Sequence, residues 1–167
     1  EKKFKNVKVI IPGKNIGLAK SYNIGIREAK TKYVFLNNPD IRISKKTISN
    51  LISCAKKIKK FGIISPTYFN EKIFRNYEVY NKNKFTKLHN HKKFELKEVD
   101  LIDNNFLLNK DILKNFQFDE NFFLYFETFD FSLNLKKRGE KLLVSNFLKF
   151  HHSGSSSLPS KYNYLVQ

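Results

Sequence analysis

Residues 15–41 read NIGLAKSYNIGIREAKTKYVFLNNPDI, and this stretch decides the fold class. Leu18, Tyr22 and Ile26 recur every four residues, the repeat of one face of an α-helix. Residues 33–36 (YVFL) then form a short apolar run with the aromatic and β-branched content of a buried strand. Asn37-Asn38-Pro39-Asp40 closes that strand with residues that favour turns.

The pattern extends in both directions. Upstream, residues 7–11 (VKVII) predict another buried strand, closed by Pro12-Gly13. Downstream, Ser44 reads as an N-cap. Ile48, Leu51, Ile52, Ala55 and Ile58 follow at the spacing of an amphipathic helix whose lysines face outward. Residues 62–66 (GIISP) predict a third strand ended by its proline. Strands that alternate with helices in this way predict an α/β fold with a mixed, mainly parallel sheet. Ligands of such sheets bind beyond the carboxyl ends of strands, which makes the 37–40 turn the expected ligand position.

The second half is less regular. Residues 67–97 are a polar, Lys- and Asn-rich excursion read as short strands and loop. Residues 99–108 (VDLIDNNFLL) predict one strand, and 110–116 a short helix. A helix through Leu133 and Leu135 is stopped by Arg138-Gly139. Residues 141–150 predict a strand pair or one bent strand that delivers His151-His152 into the serine-rich loop 153–157. The length, 167 residues without internal repeat, fits a single domain.

Composition narrows the function classes. With 41% hydrophobic and 28% charged residues the chain can bury a core, and no apolar run is long enough to span a bilayer. The single cysteine, Cys54, excludes a disulfide framework and a cysteine-rich zinc site. A reducing, cytoplasmic setting is therefore expected, and no secretory signal is visible. The net charge of +17 invites a nucleic-acid reading, but only Arg27, Arg42, Arg75 and Arg138 are arginines. Lysine is the poorer residue for bidentate readout, so a solvated basic surface or attraction to an anionic membrane face is expected, and no specific nucleic acid.

Few residues carry chemistry by local sequence. Asp40, behind a strand, suits a hard divalent cation or a simple turn. Glu127 and Asp130 share a helical face as a catalytic pair or as dipole-compensating acids. Seven aromatic residues from Phe116 to Phe129 surround that pair, conditions that raise a carboxylate's basicity. His151 and His152 would point to opposite sides of a strand, so at most one faces a given site. Dinucleotide, P-loop, serine-hydrolase and zinc-protease motifs are absent.

The order of these segments is more specific. Asn15, Gly17, Ala19, Asn23, Gly25 and Ile26 form N-x-G-x-A-x-x-x-N-x-G-I, followed by Asn38-Pro39-Asp40. This resembles the family 2 glycosyltransferases, especially their rhamnosyltransferase-like branch. Residues 118–141 (FDENFFLYFETFDFSLNLKKRGEK) are similar to the family's F-D-E-x-F-F-x-Y-x-E-D-x-D-L…G segment, and a histidine before a Gly/Ser stretch fits His151 or His152. The resemblance covers residues 7–157.

It implies a GT-A fold and an inverting transfer from a dTDP- or UDP-sugar to a glycan or lipid-linked hydroxyl in bacterial cell-surface glycan synthesis. Donor contacts would fall to Asn15, Gly17, Asn23, Asn38 and Asp40. A Mg²⁺ or Mn²⁺ ion would sit on Asp40 with His152 or His151. Glu127 or Asp130 would be the base, and Phe123, Tyr125 and Lys110 would face the acceptor. The aromatic run 122–126 would pack beneath the site.

Two departures stand out. Thr128 occupies the place of the second acid, which the family uses as base. The chain also starts at what resembles the family's third strand, so an apolar sheet edge and self-association are expected. A non-catalytic glycosyltransferase-like binding module is the competing reading, with a basic nucleic-acid-binding domain third.

Overall fold

The computed structural model describes residues 6–58, 60–69, 76–80, 87–91, 94–113 and 116–152. Helix α1 (Leu18–Glu28) forms where the four-residue repeat predicts it, and it buries Ala19, Tyr22, Asn23 and Ile26. Strand β1 (Tyr33–Leu36) follows, then the short strand β2 (Ile41–Ile43). Ser44 caps helix α2 (Lys45–Lys57), its side chain accepting the Thr47 amide at 3.0 Å. Leu51, Cys54 and Ala55 are its buried residues.

Strand β3 (Ile63–Tyr68) is buried along its whole length and runs past Pro66. Its register against the last strand shifts between Pro66 and Thr67. Proline cannot donate to the ladder, so a bulge absorbs it and the strand continues. In the polar excursion lie β4 (Tyr77–Glu78), β5 (Lys87–His91) and β6 (Phe94–Glu98).

Residues 99–108 do not form one strand. They split into β7 (Leu101–Ile102) and β8 (Phe106–Asn109). Between them Asp103-Asn104-Asn105 makes a turn, with Asn105 in the left-handed region at φ 58°. Asparagine tolerates that backbone, and three consecutive turn formers outweigh the apolar residues around them. A 3₁₀ turn (Lys110–Leu113), helix α3 (Glu127–Lys137) and the long strand β9 (Leu142–His152) complete the chain. Gly139, at φ 76°, ends α3 as expected.

The main sheet has the order β1-β8-β3-β9-β6-β5, with β2 also pairing with β9. Among the described residues only the β3–β9 pairing is parallel; the others are antiparallel. The expectation of a mainly parallel sheet is therefore wrong in detail. β1 and β3 do run in the same direction, as the α2 crossover requires, but β8 inserts between them and runs against both.

The strand predicted at residues 7–11 is absent. Val7, Val9, Ile10 and Ile11 are exposed, and this stretch takes no part in either sheet. No described strand pairs with it.

The sheet separates two cores. Tyr22 and Ile26 of α1 join Phe131 and Leu135 of α3 on one face. Leu51, Cys54 and Ala55 of α2 pack with Phe61 and Leu143 on the other. Phe131 stacks on Phe118 at 3.9 Å between centroids and on Phe116 at 5.0 Å. These rings fix α3 against the sheet, which places its N-terminus at one end of β1 and β8. Among the described residues no helix is long and apolar enough to cross a membrane.

Candidate active site

Two turns meet at that end of the sheet. Leu36 pairs with Phe106 at the last register position of β1 and β8, so the turns after β1 and before β8 are neighbours. The Asn38 amide donates to Asn105 Oδ1 at 2.9 Å, and Tyr22 of α1 donates its hydroxyl to Asn38 Oδ1 at 2.9 Å. Helix α3 enters from above the second turn. Its Thr128 hydroxyl donates to Asp103 Oδ1 at 2.9 Å, while Asn104 Nδ2 donates to Asp103 Oδ2 at 3.1 Å. One helical turn later, Ser132 bonds both the amide and the carbonyl of Ile102. Thr128 and Ser132, four residues apart, thus dock one helix face on β7 and on the turn that carries Asp103.

Three carboxylates converge electrostatically here. Tyr22 has its hydroxyl ionisation pushed up by burial and then by the charges of Glu127, Asp103 and Asp40. Burial also pushes Tyr68 up to about 12; a hydrogen bond from Asn104 opposes this, and Asp103 and Asp40 add to it. Glu127 is only 4% exposed, and its Oε2 has no hydrogen-bond partner. Its carboxyl is pushed above the usual glutamate range, chiefly by burial and also by Asp103, against a lowering hydrogen bond from its own backbone.

The residues singled out by sequence divide into those at this site and those elsewhere. Asn38, Asp40 and Glu127 belong to it. Asp130 does not: its carboxylate accepts from Asn134 at 3.0 Å and lines an open cleft of about 560 Å³ with Lys20, Asp119 and Glu120. The i,i+3 spacing of Glu127 and Asp130 puts them on neighbouring sides of α3 and in separate surroundings.

Asn23 is 2% exposed and its amide is fully used. Its Nδ2 donates to the Phe118 carbonyl and to Glu120 Oε1, and its Oδ1 accepts the Phe118 amide. Asn15 accepts the Gly17 amide at 3.1 Å in a local turn. Gly17 is required by geometry. Its φ is 84°, and a Cβ there would meet the Phe123 carbonyl oxygen at 2.6 Å. The Leu18 amide donates to that same oxygen at 2.7 Å. In this structure these three residues build the scaffold around α1.

Lys110 is not brought to the site. It donates to the Ala29 carbonyl at the C-cap of α1, at the opposite end of β8 from Phe106. Four strand residues separate the two ends, about 13 Å. The aromatic run also differs from expectation. Phe123, Leu124, Tyr125 and Phe126 are exposed, so they form a ridge at the surface and do not pack beneath the site. Tyr125 (φ 67°) and Phe126 (φ 64°) both hold left-handed backbone just before α3, strain of a kind that concentrates at functional loops. His151 is exposed and stacks on Phe69 at 4.6 Å. His152 pairs in the β2–β9 ladder with Ile41, the residue that follows Asp40. The loop 153–157 lies outside the described residues.

A family model for glycosyl transferase family 2 matches residues 1–116. The chain belongs to this family. A search of curated proteins found no match. Membership of the family implies a GT-A α/β fold, and the mixed sheet with helices on both faces agrees with it. It also supports glycosyltransferase activity, with a nucleotide-sugar donor and an acceptor in general. The matched span holds both turns, with Asp40 and Asp103, and ends before α3 and β9.

Asp103 was missed by sequence reasoning because it lies inside an apolar run that reads as a strand. The signal available was Asp-Asn-Asn itself, a turn sequence interrupting that run. Asp40 supplies the hard oxygen donor that Mg²⁺ and Mn²⁺ prefer. Among the described residues no three His, Cys, Asp or Glu groups converge closely enough to hold an ion alone.

Proposed function

We propose that this family 2 glycosyltransferase moves a sugar, with inversion, from a dTDP- or UDP-sugar to the hydroxyl of a glycan or lipid-linked acceptor. The setting we assign is bacterial cell-surface glycan synthesis at the cytoplasmic face of the membrane, where a chain of net charge +17 is drawn to anionic lipid. The observation that carries the reading is the meeting of the 37–40 and 103–105 turns with the start of α3, tied by the Tyr22–Asn38, Asn38–Asn105 and Thr128–Asp103 hydrogen bonds, in a chain of this family.

Each group has a use in this chemistry. Asp40 would hold the Mg²⁺ or Mn²⁺ ion, with His152, whose backbone pairs with Ile41, as a second contact. Bound there, the ion neutralises charge on the departing diphosphate. Tyr22 and Asn38 hold the turn that carries Asp40. A carboxylate takes the acceptor's proton as its oxygen attacks the anomeric carbon, while the bond from that carbon to the diphosphate oxygen breaks and its electron pair leaves with the nucleotide. Of the two acids predicted for this step, Glu127 shares the cluster with Asp40 and Asp130 lines the separate cleft. The exposed rings of Phe123 and Tyr125 offer flat apolar faces on which an acceptor sugar stacks.

Calorimetric titration with UDP and dTDP, with and without Mn²⁺, tests the donor half. Metal-dependent binding of one nucleotide is expected, and Asp40→Asn should weaken it about a hundredfold. Equal affinity of the variant in Mn²⁺ would remove Asp40 from the ion site.

A further inference from the structure

Helix α2 turns a single kind of charge outward. Its exposed residues are Lys45, Lys46, Ser49, Ser53, Lys56 and Lys57. At 3.6 residues per turn these fall on one arc of about 120°, opposite the buried Leu51, Cys54 and Ala55. The arc holds neither an acid nor an apolar side chain. Arg42 and Lys60, beyond the two ends, are exposed as well, and no Asp or Glu occurs from Ile41 to Gly62.

The other two α-helices present mixed surfaces. On α1, Arg27 and Glu28 are both exposed, and Glu28 pairs with Lys8. On α3, Leu133 is exposed, Asp130 is half-buried, and Lys136 pairs with Asp100 at 2.7 Å. The α2 face is also firmly held. The Ser53 hydroxyl donates back to the Ser49 carbonyl at 2.8 Å, and Thr47 Oγ1 ties the first turn to the Lys149 carbonyl at 3.3 Å. Lysines therefore project past short neutral neighbours from a fixed helix, along about 16 Å between Lys45 and Lys56.

We infer that the exposed face of α2 is the surface by which this chain docks on an anionic membrane. A flat strip of positive charge complements a plane of lipid phosphates. Lysine meets such phosphates as a mobile point charge that needs no fixed geometry. A nucleic acid would call for arginine forks and stacking rings, and α2 contains neither arginine nor an aromatic residue. Docking on this face also sets where the candidate site sits. Lys45 follows Asp40 by five residues, at most about 17 Å of chain, so the 37–40 turn stands at the end of α2 that carries Lys45 and Lys46. An acceptor anchored in the same lipid then reaches the site without leaving the surface. That use rests on the glycosyl-transfer reading above; the docking does not.

The test is flotation of the full chain with phosphatidylcholine vesicles, with and without about a third of phosphatidylglycerol, at ~0.1 M salt. Binding is expected only to the anionic vesicles and should weaken as salt rises. Replacing Lys45, Lys46 and Lys56 together by Gln keeps good helix formers and should lower the affinity about a hundredfold, at about fivefold per lysine. The triple Lys14→Gln, Lys30→Gln and Lys137→Gln removes the same charge from exposed positions elsewhere, and should lower it less than about fivefold. Ser49→Lys extends the strip and should raise the affinity about fivefold, a gain that misfolding cannot produce. Equal losses in the two triples would mean attraction of net charge without a docking face, and would overturn the inference. A chain that ignores the vesicles, or that binds a short DNA duplex through these lysines instead, would overturn it too. Binding of UDP or dTDP in Mn²⁺ is measured on the same proteins. Its loss with vesicle binding intact ends the glycosyl-transfer reading alone, and the reverse result ends the docking alone.

Discussion

The two ends of the β1–β8 pair use charge in opposite ways. At the Tyr33–Asn109 end, unlike charges and dipoles meet. Lys110 donates to the Ala29 carbonyl at the C-cap of α1, and Lys32 pairs with Asp111 at 2.7 Å. At the Leu36–Phe106 end, like charges are brought together: Asp40, Asp103 and Glu127 all act on one buried tyrosine. The first arrangement lowers the energy of the fold at small gain per contact. The second raises it, because a buried carboxylate near other carboxylates is costly to ionise. A fold tolerates such a cost where chemistry needs it, so the difference between the ends marks which of them is the site.

The contrast depends on α1 and α3 being locked together, and the lock is Asn23. Three hydrogen bonds join it to Phe118 and Glu120, ahead of the aromatic loop and α3. Asn23→Ala leaves the Phe118 amide and carbonyl buried without partners, at a cost of about 3 kcal/mol. Thermal unfolding should fall by about 6–12 °C, and amide exchange should quicken first at the N-terminus of α3. A change under about 2 °C would mean that the stacked rings of Phe116, Phe118 and Phe131 hold this end unaided.

A smaller effect with a definite sign comes from Glu127. Its folded-state ionisation lies above the unfolded value, so below the usual glutamate range both states carry the proton and nothing is lost. As pH rises through about 4.3 the unfolded chain releases its proton first, and the folded state is destabilised relative to it. The loss grows until pH passes the raised folded value and is constant above that. Glu127→Gln should therefore match the wild type in melting temperature near pH 3 and exceed it near pH 7. The opposite trend, a variant that loses stability as pH rises, would show a carboxylate held as an ion by a favourable partner and would end the contrast between the two sheet ends.

How much of this was legible in the sequence follows from how each turn is spelled. The 37–40 turn ends an unambiguous strand and contains proline, so Asn38 and Asp40 could be placed at a strand's carboxyl end from spacing alone. The 103–105 turn sits between Leu101-Ile102 and Phe106-Leu107, all buried, and a periodicity argument runs straight across it. Asn15, Gly17 and Asn23 were legible as a motif, but a motif does not separate residues that touch a ligand from residues that shape the loop. Gly17 against Phe123 and Asn23 against Phe118 are contacts across about a hundred residues, which local sequence does not encode. The sheet's mixed direction was hidden for the same reason. The order β1-β8-β3 depends on where a distant strand inserts, and the helix crossover alone predicts only that β1 and β3 run alike.

The smallest predicted effect bears on the quiet end. Lys110 was expected near the acceptor, yet its ammonium group lies on the Ala29 carbonyl, capping α1. A cation at a helix C-terminus is worth about 0.5–1 kcal/mol when partly buried, and Lys110→Met keeps most of the side chain's apolar stem while removing the charge. The variant should lose about that much stability in urea and bind UDP or dTDP with unchanged affinity in Mn²⁺. The loss should shrink in high salt, as a charge–dipole contact requires. Nucleotide binding or turnover that falls with the charge would place Lys110 in the machinery. Both ends of β8 would then serve the reaction, and the division between a stabilising end and a reactive end would have to be redrawn around the whole strand.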